Sequence, residues 1–249
     1  MSTDSYTAPG EPAAPRTNAY GQPIGGIVHA WTERAQPSRT PLLGRYCRLE
    51  PLNAERHTAQ LFDAYSEAPD DRDWTYLFTR RPSDLATCRA YVASAAASRD
   101  PLHFAIIDLA TNTAVGSAAL MRIDPEHGVI EVGGVTYSRR LQRTQAGTEA
   151  MYLLMRRSFD ELGYRRYEWK CDSLNAPSIA AARRYGFQFE GVFRQATVYH
   201  GRNRDTAWLS ILDLEWPRVR AAFEAWLADD NFDAAGRQRR TLTAVREDA

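Results

Sequence analysis

The residues best suited to chemistry lie between positions 129 and 150, where the pattern reads as strand, polar loop and helix. Val129 to Tyr137 alternates as a strand, and Ser138 to Thr144 is polar and carries Arg139, Arg140 and Arg143. Met151, Leu154, Met155, Phe159 and Leu162 then recur at helical spacing before Gly163, a helix-ending glycine. A helix start presents unpartnered N–H groups and about half a positive charge, which suits an anion such as a diphosphate. In Gln142-Arg-Thr-Gln-Ala-Gly-Thr148 the small Ala146 and Gly147 let backbone come close to such a group. The same segment also reads as a solvated, arginine-rich helix start.

The surrounding elements must hold this loop in place. A short strand ends at Pro51, and Asn53 is a natural cap for a helix carrying Leu61, Phe62 and Tyr65. After an irregular stretch with Trp74, Tyr76 and Phe78, which either pack or wall a pocket, Ser83 opens a second helix toward Arg99. Three strands follow as a meander over 103–108, 114–123 and 129–137, with Gly133-Gly134 suited to a bulge. Beyond the 145–162 helix come a strand over 166–172, a helix opened at Asn175 and ended at Gly186, a hairpin over 187–213 and a last helix over 215–228. The fold class is therefore α+β with a mixed sheet.

Residues 1–41 are proline-rich (Pro9, Pro12, Pro15, Pro23, Pro37 and Pro41) and read as a largely disordered extension, with 26–41 packing through Trp31. Residues 42–228 hold the core and 229–249 read as a polar tail. Equal numbers of basic and acidic residues, 31 each, give no global field to select nucleic acid or an anionic membrane. Three cysteines without a CxxC pair argue against a disulfide framework or a zinc site, so no metal is expected. With no run of about 18 apolar residues and no signal-peptide core, the expected location is the cytoplasm.

Gln142-x-x-Gln145-x-Gly147 followed by Thr148-Glu149-Ala150 resembles the acetyl-CoA loop of the GNAT superfamily of N-acetyltransferases. Asn175-Ala-Pro-Ser178, Tyr185-Gly186-Phe187 and Glu190-Gly191-x-x-Arg194 are similar to the branch that acetylates ribosomal-protein N-termini. The similarity runs from about Leu43 to Glu215. It implies a mostly antiparallel sheet flanked by helices, with a splayed strand pair for coenzyme A and acetyl-CoA as cosubstrate. It also implies a primary-amine acceptor, a protein or peptide N-terminus before a small amine such as an amino acid, polyamine or antibiotic. The protein is then a monomer or homodimer.

The resemblance further implies roles. Cofactor contacts fall to Val135, Tyr137, Gln142, Arg143, Thr144, Gln145, Ala146, Gly147, Thr148 and Asn175. Ser178 maps to the acid that protonates the leaving thiolate, or else satisfies its own helix start. The family's usual tyrosine is replaced by Ala182, and the branch's glutamate by Thr197. Glu131 is the first substitute as base through water, ahead of Glu168 and Asp172, with a salt-bridged strand carboxylate as its plain alternative. Gln145 stands where the family has glycine, so its backbone must avoid positive φ. These departures keep open a non-catalytic module that only binds coenzyme A.

Overall fold

The computed structural model describes residues 15–248. Strands β1 (Arg16–Thr17) and β2 (Pro23–Ile24) form an exposed two-stranded ribbon in the stretch expected to be disordered, while residues 1–14 of that stretch lie outside the described residues. The lead-in packs as expected. The Trp31 indole donates to the Glu126 carbonyl at 2.9 Å, and its ring lies 4.3 Å from the Arg34 guanidinium and 5.7 Å from that of Arg165.

The main sheet is built from β3 (Leu42–Leu43), β4 (Cys47–Pro51), β5 (Leu102–Asp108), β6 (Thr113–Asp124), β7 (Val129–Tyr137), β8 (Arg166–Asp172), β9 (Gln188–Tyr199) and β10 (Arg202–Leu212). Their order is β3-β4-β5-β6-β7-β8-β10-β9, and every pair is antiparallel except β7 with β8. This is the mixed, mostly antiparallel α+β sheet expected of the sequence. The β7–β8 pair is parallel because a helix crossover joins them.

Two apolar layers cover the sheet. On one face Leu49, Phe104, Ile106, Ile130, Tyr167 and Leu209 pack under α3 (Gln145–Arg156), α4 (Ala176–Tyr185) and α5 (Trp216–Leu227). On the other, Ala105, Ile107 and Ala114 meet α1 (Ala54–Ser66) and α2 (Leu85–Ala97). Local chemistry sets the helix ends: the Asn53 side chain accepts the Arg56 amide, and Gly186 closes α4 at φ 105°. Asp84 rather than Ser83 caps α2, by accepting the Thr87 amide.

The expectation of a polar tail beyond residue 228 is corrected. Helix α6 (Leu242–Glu247) folds back onto the body with Leu242 and Val245 buried in the main core. Asn231 anchors the return by bonding to the Trp226 and Arg240 carbonyls and accepting the Arg240 amide. A few apolar residues inside a charged stretch suffice to dock it.

Candidate functional site

Strands β7 and β8 separate at the centre of the sheet. Their paired residues run from Val129 with Arg166 to Val132 with Trp169 and stop there, although both strands continue. Opposite the gap, one residue of β6 (Ala118) faces two of β7 (Gly134 and Val135), a bulge with Gly134 at φ 56°. The Gly133-Gly134 pair thus bends β7 away from β8 at the expected place. The backbone of Gly133 to Tyr137 is left without a strand partner on its β8 side.

The loop after β7 delivers the start of α3 above this gap. Thr144 caps the helix by accepting the Gly147 amide at 3.0 Å, and the Thr148 amide donates to the Thr144 carbonyl. Gly147 and Thr148 therefore spend their amides internally. Among the described residues the amides of Arg143, Thr144, Gln145 and Ala146 have no protein acceptor, so four successive donors remain for a ligand. Arg143, at φ 62°, is the left-handed residue of the turn, whereas Gln145 sits in ordinary helical conformation.

The three arginines of this loop differ. Arg139 pairs with Asp73 at 2.9 Å and Arg140 with Asp63 at 2.7 Å, while Arg143 has no carboxylate partner among the described residues. A cleft of about 420 Å³ reaches Thr144, Gln145 and Ala146 between Tyr46 and Arg140. Gly147 is also kept small by its neighbours: a Cβ there would come within 2.5 Å of the Leu141 carbonyl and 3.2 Å of the Tyr137 ring. Tyr137 braces the helix start by donating its hydroxyl to the Gly147 carbonyl, and the Gln142 side-chain NH₂ donates to the Tyr137 carbonyl.

At α4, the Asn175 side chain accepts the Ser178 amide as a helix cap, and the Ser178 Oγ accepts the Trp169 indole N–H at 3.0 Å. Trp169 is the last residue of β8 to pair with β7, so this hydroxyl stands beside the gap. The small Ala182 is fully buried and offers no hydroxyl.

On the opposite face Glu131 stands in a cluster of charges. Its carboxylate lies 2.8 Å from the Lys170 ammonium, which also meets Glu168 at 2.6 Å and sits 3.8 Å from the centre of the Trp208 ring. Burial lifts the Glu131 carboxyl above its usual range against the pull of Lys170. The arrangement matches the salt-bridged alternative, with Lys170, the sole lysine of the chain, holding two strand carboxylates. Asp172 is occupied as well, accepting the Tyr199 hydroxyl at 2.7 Å and the Leu174 amide at 2.9 Å.

Two residues given no role from sequence shape this region. His103 of β5 pairs with Ala119, which pairs with Gly133, and its ring faces the bulge: a Cβ on Gly134 would lie 3.2 Å from His103 Cε1. Burial keeps this imidazole below its ordinary pKa, and its Nδ1 has no hydrogen-bond partner. Glu149 of α3 accepts the amides of Arg45, Tyr46 and Cys47 at 2.7, 2.7 and 2.8 Å, clamping the β3–β4 corner to the helix.

The mouth of the gap is walled by the α1–α2 connection and the β9–β10 hairpin. Phe78 packs on Tyr199 at 5.6 Å between ring centres, the Arg202 guanidinium donates to the Thr75 carbonyl, and His200 meets the Leu77 carbonyl at 3.0 Å. Trp74, by contrast, is buried against Tyr65. Among the described residues no group of three or more His, Cys, Asp or Glu side chains could hold a metal ion, and no helix is long and apolar enough to cross a membrane.

Comparison with known proteins agrees with this geometry. Residues 47–188 match the acetyltransferase (GNAT) domain model, and the chain belongs to that family. A GCN5-related N-acetyltransferase from Brucella melitensis is 50% identical and superimposes with a TM-score of 0.87, over 88% of this chain and all of that one. The "Uncharacterized N-acetyltransferase p20" of Bacillus licheniformis is 31% identical over 113 residues, which are 45% of this chain and 63% of that protein. An acetyl transferase from Salmonella typhimurium that modifies the N-terminal serine of the 50S ribosomal subunit protein L7/L12 has a TM-score of 0.59 at 18% identity, over 70% of this chain and 99% of that one. At that identity the likeness shows the fold alone.

Proposed function

We propose that this protein transfers an acetyl group from acetyl-CoA to a primary amine, with a protein or peptide N-terminus as the favoured acceptor class. The observation that carries the reading is the run of four unpartnered amides, Arg143 to Ala146, standing over a splayed and bulged strand pair. Acetyl-CoA supplies an activated thioester. The helix start and Arg143 grip its diphosphate, and the open β7 edge, Val135 included, runs alongside its arm.

The amine bonds to the acyl carbon, which puts charge on the acyl oxygen, and the carbon–sulfur bond then breaks, which passes that charge to sulfur. Backbone donors of the bulge stabilise the oxygen. The His103 imidazole, in place of Glu131, takes the proton of the amine, and the Ser178 Oγ–H donates to the departing thiolate.

Gln145→Pro tests the cradle. Proline is well tolerated at the first helical position, and Thr144, at φ −102° and ψ 166°, already has the extended conformation that proline demands of its predecessor. The variant keeps its thermal stability but loses one donor. Its affinity for acetyl-CoA should fall about tenfold or more, the worth of one hydrogen bond to a charged group. Unchanged affinity by calorimetry would count against this site.

A further inference from the structure

At the mouth of the gap, Arg204 of β10 is 7% exposed, and among the described residues it has neither a carboxylate partner nor a side-chain hydrogen bond. Its Nε is fully shut away from solvent without an acceptor. The guanidinium carbon lies 4.8 Å from the centre of the Phe78 ring and 5.8 Å from that of Tyr199. Aromatic rings attract the charge but leave in-plane N–H donors unsatisfied, and a buried charge without a hydrogen-bonding partner costs several kcal/mol.

The nearby acids do not answer it. Asp172 has both oxygens engaged by Tyr199 and Leu174, and Asp205 accepts the Gln195 amide and the Asn203 side chain. Meanwhile the walls around Arg204 are tied to one another through Thr75, Leu77, His200 and Arg202.

We propose that Arg204 receives a carboxylate of the acceptor, so that the substrate is a primary amine bearing a nearby carboxylate. A single guanidinium between aromatic walls matches a monoanion on a partly apolar body, and its planar fork matches a carboxylate. Two sources share this chemistry: the α-carboxylate of a free amino acid, and the side chain of an acidic residue at a peptide N-terminus. The inference rests on the acetyltransferase reading for the amine but not for the anion.

Product binding separates the two. N-acetyl amino acids, and N-acetyl peptides starting with Asp or Glu, are titrated calorimetrically against their carboxamide counterparts into the coenzyme A-loaded protein. The carboxylate forms should bind ten- to a hundredfold more tightly, and Arg204→Gln should erase that preference while Arg204→Lys keeps part of it. The series that shows the preference identifies the source. Equal binding of acid and amide by the unaltered protein in both series would overturn the proposal, as would a preference that survives in a folded Arg204→Gln. Release of free thiol with the unacetylated amines is read alongside: discrimination without release leaves the anion receptor standing and sinks the transferase reading. Release without discrimination does the reverse.

Discussion

His103 illustrates how burial selects a protonation state. Water stabilises the imidazolium more than the imidazole, so a ring facing a β-bulge with a bare Nδ1 is held neutral. Its pKa lies below the ordinary value, so it can accept a proton at neutral pH and loses that ability only as pH falls. Replacing His103 with Asn should lower kcat/KM by roughly a hundredfold or more, the usual weight of a general base. The acidic limb of the pH–rate profile should go with it. A profile that keeps its acidic limb in the variant would return the role to another group. Stability follows the same sign: a depressed histidine pKa contributes stability above the unfolded value of about 6.5, lost as pH drops through the folded one. His57, also buried and depressed, adds to that acid sensitivity.

At the level of elements, Glu149 shows a helix used as a clamp. Its carboxylate satisfies three backbone amides of the β3–β4 corner, and a Cβ on Gly44 would lie only 2.5 Å from Glu149 Cδ. Burial together with this carboxylate pushes the Cys47 thiol far up, so that cysteine stays protonated. Glu149→Gln keeps the shape but exchanges an oxygen for an NH₂ group facing amides. We expect a loss of about 2–3 kcal/mol, measured by urea denaturation, because hydrogen bonds to an ionised group are worth more than neutral ones. A loss under half a kcal/mol would show the corner to be held by other means. The strands, the caps at Asn53 and Asn175, and the bulge at Gly133-Gly134 were legible in the sequence because each is a local signal. Glu149 was not: the three amides that donate to it lie about a hundred positions upstream. His103 reads as one more residue of an apolar strand, and only two successive strand pairings bring it to Gly134. Arg204 is one of many arginines, and its lack of a partner exists only once the walls around it have closed.

Across the whole molecule, the C-terminal segment ties the far end of the chain to the site. Arg246 of α6 donates to the Arg184 carbonyl at 2.7 Å and the Arg183 carbonyl at 3.2 Å, completing the end of α4. The Arg184 side chain in turn donates to Thr148 Oγ1 in the first turn of α3, at 3.2 Å. Removing residues 229–249 therefore does more than trim a surface. It strips Leu242 and Val245 from the core, at about 1.5–3 kcal/mol for each fully buried side chain. It also removes Asn231, which bonds the Trp226 carbonyl at the end of α5. The truncated chain should lose at least about 3 kcal/mol in urea denaturation. Because α4 and the start of α3 lose their shared brace, acetyl-CoA affinity should weaken in the fraction that remains folded. A truncated protein with the full-length midpoint would mean that the segment rests on the core without supporting it. One that is destabilised but binds acetyl-CoA unchanged would confine its role to packing, with α3 positioned by Thr144 and Glu149 alone.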